Sequence, residues 1–138
     1  MKKGYKQLLT EANAVIETIT AAEALQALGQ QEVVFVDIRD QPELECHGKI
    51  PGAVHASRGM LEVIVDPDSS FHQPVFSANR RFLLYCAGGV RSAFAAQRLQ
   101  EMGLEHVAHI AGGINAWKQV GGPVEHVKQR ERLSWIRR

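Results

Sequence analysis

Cysteine is scarce in this 138-residue chain, with Cys46 and Cys86 the only two. Two are too few for a disulfide framework and nothing else marks the chain for export, so both are expected as free thiols in a reducing cytoplasm. No apolar run reaches the roughly 18 residues that a membrane span needs. The basic start Met1-Lys2-Lys3 is followed by Tyr5-Lys6-Gln7, then Glu11 and Asn13, rather than by an apolar core. A secretory signal is therefore not expected. Charge of one sign is also lacking: 16 Lys and Arg stand against 15 Asp and Glu, for a formal net charge of +1. That balance gives no whole-molecule attraction to nucleic acid or membrane, and neither is expected as a partner. The six histidines show no metal-ligand spacing, so no metal site is expected.

What is present suits one domain that folds on a hydrophobic core, since a chain of this length buries roughly two-thirds of its unfolded surface. Three apolar runs read as buried strands: Val33-Val34-Phe35-Val36, Phe82-Leu83-Leu84-Tyr85 and Val107-Ala108-His109-Ile110. Helical patterns lie between them. Thr20 and Glu23 have the spacing of a capping box, with Gly29 as the stop. Ala95, Leu99 and Met102 share one face of a helix expected over 92–102, and a shorter helix is expected over 114–120. Tyr5, Leu8, Leu9, Ala12 and Ile16 predict a further helix near the N-terminus, and residues 60–65 a short helix or strand. Alternating strands and helices imply an α/β fold: a central, mainly parallel β-sheet flanked by helices on both faces. Ligands of such folds bind at the carboxyl ends of the strands.

Cys86 stands at one of those ends, at the head of the loop Cys86-Ala87-Gly88-Gly89-Val90-Arg91-Ser92. Gly88 and Gly89 can take positive φ, which lets the loop curl with its N–H groups inward. The start of the next helix adds unpaired N–H donors and partial positive charge. Arg91 adds either a planar cation or a brace for the loop. The whole would form an anion cradle with sulfur at its floor, and the same field favours the nucleophilic thiolate of Cys86.

The loop resembles the active-site loop of the rhodanese family of sulfurtransferases. Three further elements match in order: Val36-Asp37-Ile38-Arg39 is similar to the family's Asp-x-Arg element, Gly48-Lys49-Ile50-Pro51-Gly52-Ala53 to its Gly-His-Ile-Pro-Gly-Ala signature, and Ala111-Gly112-Gly113-Ile114-Asn115-Ala116-Trp117 with Gly122-Pro123 to its C-terminal Gly-Gly-x-x-x-Trp element. The resemblance implies a rhodanese-like domain over 18–124, between an N-terminal extension (1–17) and a basic tail (125–138). It also implies a mechanism without metal or organic cofactor. Cys86 takes the outer sulfur of a small anionic donor such as thiosulfate as a persulfide, and a small thiol or a protein then accepts it. Ala87, Gly88, Gly89, Val90, Arg91 and Ser92 would form the substrate cradle.

Two positions depart from the family pattern. Lys49 replaces a His in the turn signature, and Ala87 is neither the basic residue that suits thiosulfate nor part of the Gly-Ser-Gly that suits mercaptopyruvate. The donor is thus left open, as is the oligomeric state. Asp37 and Arg39 read as a structural pair, and Trp117 as core packing with its indole N–H satisfied. Arg58 reads either as a second cation toward the pocket or as a solvated loop arginine. Cys46 lies in a polar stretch and reads as a structural or incidental thiol, with a resolving role against Cys86 as the alternative. Two rival functions remain. Cysteine phosphatases and arsenate reductases place five residues between Cys and Arg, against four here, Ala87 to Val90. A persulfide relay or docking module for a protein partner is the other, with the basic tail as its docking element.

Overall fold

The protein is described by a computed structural model over residues 1–129. Of the basic tail expected at 125–138, residues 130–138 lie outside the described residues. Five strands form one parallel sheet: β1 (Glu17–Ile19), β2 (Val33–Asp37), β3 (Val54–His55), β4 (Arg81–Tyr85) and β5 (Val107–Ile110), in the order β1-β5-β4-β2-β3. The three expected strands are β2, β4 and β5. The short edge strands β1 and β3 carry too few residues for a pattern to emerge. β4 sits at the centre, between β2 and β5.

Six helices accompany the sheet among the described residues: α1 (Tyr5–Val15), α2 (Ala21–Ala27), α3 (Gln41–His47), α4 (Leu61–Val65), α5 (Val90–Glu101) and α6 (Gly113–Gln119). Val34 and Val36 of β2 pack with Leu84, Leu61, Ala95 and Leu99 on the face covered by α4 and α5. Phe35, one residue out of phase, joins Leu83, Tyr85, Ile114 and Trp117 on the α2 and α6 face. A strand buried on both sides needs an apolar residue at every position, which is why β2 and β4 read as continuous runs. Thr20 caps α2 as expected, accepting from the Glu23 N–H at 3.1 Å while Glu23 accepts from the Thr20 N–H at 3.1 Å. α5 begins at Val90, two residues before the expected start, and so draws Arg91 into its first turn.

The last helix fixes the functional end of the sheet. Gly112 and Gly113 both have positive φ, 72° and 57°, and they bring α6 against the chain that leaves β4. Ile114 N–H donates to the Cys86 carbonyl at 2.9 Å and Asn115 N–H to the Ala87 carbonyl at 3.1 Å. Trp117, fully buried, meets Phe35 edge-on at 5.6 Å between ring centroids. Its indole N–H donates to the Pro123 carbonyl at 2.8 Å. Gly122 sits against its indole ring, where a Cβ would collide. The Gly-Gly-x-x-x-Trp element is thus a device for docking one helix on one loop.

A side chain at position 113 would meet the Cys86 and Ala87 carbonyls at a φ that L residues avoid. Gly113→Ala should therefore destabilise the fold by about 2 kcal/mol or more. Urea unfolding measures this, and a wild-type midpoint for the variant would contradict the docking role given to α6.

Candidate active site

Cys86 follows β4 directly and is buried, with 1% of its surface exposed. The Gly89 N–H points at its sulfur, 3.1 Å from Sγ. Gly89 makes this approach in the left-handed region, at φ 101°, and serves as the cap residue before α5. Gly88 differs from expectation: its φ is not positive and a Cβ there would meet open space, so one glycine rather than two supplies the curl. Ser92, buried in the first turn of α5, brings Oγ within 3.5 Å of Sγ. The loop places Cys86, Gly89 and Ser92 together around one sulfur atom.

Arg91 takes the geometry of a brace. Its guanidinium pairs bidentately with Glu43 of α3, both N···O distances being 2.8 Å. The Arg91 hydrogen bonds hold the Glu43 carboxyl down at about 2, and Glu43 in turn raises Arg91. Glu43 also accepts from the Asp40 N–H at 3.0 Å, closing the first turn of α3. This pair ties the Cys86 loop to the helix after β2.

Asp37 and Arg39 form a buried ion pair. Both are buried, Arg39 Nε and Nη2 donate to the two Asp37 oxygens at 3.0 and 2.8 Å, and Nη2 also reaches the Gly48 carbonyl at 2.7 Å. The Arg39 guanidinium lies 5.8 Å from the Tyr85 ring centroid. Burial raises the Tyr85 hydroxyl above its ordinary range, and that oxygen accepts from the Ile50 N–H at 3.0 Å. Arg58 pairs with Glu62 of α4 at 2.9 Å and lines neither cleft beside the loop. Lys49 turns its ammonium to the Ala53 carbonyl at 2.8 Å within its own turn. Cys46 is exposed on α3, and both thiols are free.

Two clefts flank the loop. One, of about 240 Å³, is lined by Ala87, Arg39, Glu43, Asn115 and Lys118, and is charged. The other, of about 420 Å³, is lined by Gly88, Gly89, Val90, Thr18, Asn13 and His109, and carries no formal charge other than what the imidazole can acquire. No cluster of His, Cys, Asp or Glu suited to a metal occurs among the described residues, and no helix among them is long and apolar enough to cross a membrane.

A family model described as a rhodanese-like domain matches residues 20–120. The chain belongs to the rhodanese-like domain family. A GlpE thiosulfate sulfurtransferase of Pseudoalteromonas translucida is 32% identical over 72% of this chain and 87% of its own length. An uncharacterized Synechocystis protein is 33% identical over 86% of this chain, which spans 60% of that protein's length. A solved structure from Rhodopseudomonas palustris, named as a protein of unknown function and "possible tyrosine phosphatase", superposes with a TM-score of 0.88 at 50% identity, covering 91% of this chain and 96% of that one.

In this rhodanese-like domain three site residues escaped the sequence reading. Glu43 was legible from Asp40-Gln41-Pro42-Glu43, a cap spacing with Pro in the first turn. His109 had a signal too, since a polar residue inside an apolar strand calls for a buried partner. Thr18, on an edge strand of three residues, had none.

Replacing Asp37 by Asn leaves Arg39 buried without its counter-charge, and should cost about 3–5 kcal/mol of stability by urea unfolding. A loss below about 1 kcal/mol would deny the pair its structural role. Glu43 gives a pH signature. Its carboxyl is depressed from 4.5 to about 2, so its contribution is full above pH 4.5 and lost as pH falls toward 2. The stability difference between wild type and Glu43→Gln should shrink across that window, and a constant difference would contradict the assignment.

Proposed function

We propose that the protein is a sulfurtransferase that carries sulfane sulfur as a persulfide on Cys86. One observation carries this reading: the Gly89 N–H addresses Sγ at 3.1 Å, within a loop that has only four residues between Cys86 and Arg91. A curl that tight suits one added sulfur atom better than a tetrahedral phosphoryl group, which favours sulfur chemistry over the phosphatase activity suggested for the R. palustris protein. The GlpE relatives' thiosulfate sulfurtransferase activity supports the same choice.

With thiosulfate as donor, the Cys86 thiolate attacks the outer sulfur. A bond forms between Sγ and that sulfur, the donor's S–S bond breaks, and sulfite leaves with the electron pair. The terminal sulfur of the persulfide carries the negative charge, where N–H donors and the nearby Arg91 stabilise it. A nucleophilic acceptor then attacks the terminal sulfur and releases Cys86 as thiolate. Cyanide ends as thiocyanate, whereas a cellular acceptor would be a small thiol or a protein cysteine. The charged cleft beside Ala87, where Lys118 stands with Arg39 and Glu43, each held in its own ion pair, in the lining, is the entry we assign to an anionic donor. The cytoplasm, with its thiol pool, is the compartment this chemistry suits.

The test is thiocyanate formation from thiosulfate and cyanide, run beside hydrolysis of an aryl phosphate. Wild type and Cys46→Ser should form thiocyanate equally, Cys86→Ser should form none above background, and all three should leave the phosphate intact. Phosphate hydrolysis that disappears in Cys86→Ser, or thiocyanate formation that survives in it, would overturn the proposal.

A further inference from the structure

Cys86 is buried, yet it needs to lose a proton to act. A continuous hydrogen-bonded chain leads from it to solvent. Cys86 Sγ lies 3.5 Å from Ser92 Oγ, Ser92 Oγ lies 2.9 Å from His109 Nδ1, and His109 Nε2 lies 3.1 Å from Thr18 Oγ1. Thr18 is exposed on β1, directly opposite His109 in the sheet register, and both line the uncharged cleft formed with α1. Ser92 and His109 are buried, and each of their polar side-chain atoms has a partner.

We propose that Ser92, His109 and Thr18 are a proton relay that takes the Cys86 proton to the α1-side cleft and leaves the thiolate held by the Ser92 hydroxyl. This rests on the reading of Cys86 as the sulfur carrier. The Sγ proton passes to Ser92 Oγ as the Ser92 proton passes to His109 Nδ1. The His109 Nε2 proton passes to Thr18 Oγ1, whose own proton goes to water. One proton leaves Cys86, one enters solvent, and the imidazole changes tautomer without a lasting charge. Every hydrogen bond then runs the other way: Thr18 donates to Nε2, Nδ1–H donates to Ser92 Oγ, and Ser92 O–H donates to the thiolate. Hydrogen bonds aligned in one direction strengthen one another, and the last one ends on an anion.

The surroundings suit a neutral shuttle. Burial alone lowers the His109 pKa. Its neighbours are uncharged: Thr18 on β1, Leu84 on β4, and Leu9 and Asn13 on α1. Glu17, next to Thr18, is paired with Arg81 at 2.7 Å. On the Cys86 side the charged groups are Arg91 of α5, paired with Glu43 of α3, and the buried Asp37 and Arg39 at the end of β2. Ser92 touches the reacting sulfur, while His109 and Thr18 act through it as positioning residues.

The test is the pH dependence of Cys86 alkylation by iodoacetamide in a Cys46→Ser background, so that one thiol reports. His109→Leu, which leaves the Ser92 hydroxyl without the partner that orients it toward the thiolate, should slow alkylation about tenfold at pH 7 and much less at pH 10, where hydroxide is abundant. Ser92→Ala should slow it at least as much, and the double variant no more than Ser92→Ala alone, because the two act in series. Thr18→Val, on the exposed edge strand, should slow it about threefold at pH 7. It keeps the test decisive should the buried substitution fail to fold. A wild-type rate at pH 7 in a folded His109→Leu or in Thr18→Val, or losses that multiply in the double variant, would overturn the relay. Alkylation needs no sulfur donor, so this outcome is separate from failure of the sulfurtransferase reading, which thiocyanate formation alone reports.

Discussion

The backbone contact between α6 and the Cys86 loop is the constraint on which the site depends. Two N–H groups from the first turn of α6 take the carbonyls of Cys86 and Ala87. In a trans peptide the carbonyl and the following N–H point opposite ways. Docking those carbonyls on α6 therefore turns the N–H groups of Ala87 and Gly88 away from the helix, and the next one, of Gly89, reaches the sulfur. Only a glycine at 113 lets α6 come that close. Trp117 then pins the helix through Phe35 and Pro123. The loop's inward dipoles follow from a helix packed on its outside.

Charge is distributed around this frame with a similar economy. The loop's one arginine is fastened to Glu43, so its position is fixed before any ligand arrives, and preorganised charge of that kind has no reorganisation to undergo during a reaction. Asp37 and Arg39 neutralise each other in the core and hold the carbonyl of Gly48, tying the third motif to the second. The two clefts beside the loop are unlike. Ionic side chains border one, while polar and apolar groups with a single imidazole border the other. The two clefts thus offer unlike surroundings on either flank of the Cys86 loop.

Much of this was legible in the sequence. The buried strands announced themselves as short, mostly apolar runs followed by turn residues, and the loop did so because Cys, Gly-Gly and Arg coincide before a helix. Less was legible where function depends on contacts between distant segments. Arg91 could be read as cation or brace until α3 supplied Glu43, 48 positions away. Arg58 follows the turn signature closely enough to suggest the pocket, but α4 offers Glu62 one turn on and the guanidinium goes there. His109 looks idle in a scan for metal spacing, because its partners, Ser92 and Thr18, are brought to it by sheet register and helix packing. Gly88 shows the reverse error: two adjacent glycines suggested two left-handed residues, and the geometry uses one.

The central claim is that Cys86 is a sulfur carrier, and intact-protein mass spectrometry with peptide mapping tests it most directly. After incubation with thiosulfate or mercaptopyruvate and removal of excess donor, the protein should gain the mass of one sulfur atom, located on Cys86 and absent from Cys46, and should lose it on addition of cyanide. An unmodified Cys86 with every sulfur donor supplied, or sulfur found on Cys46 instead, would contradict it.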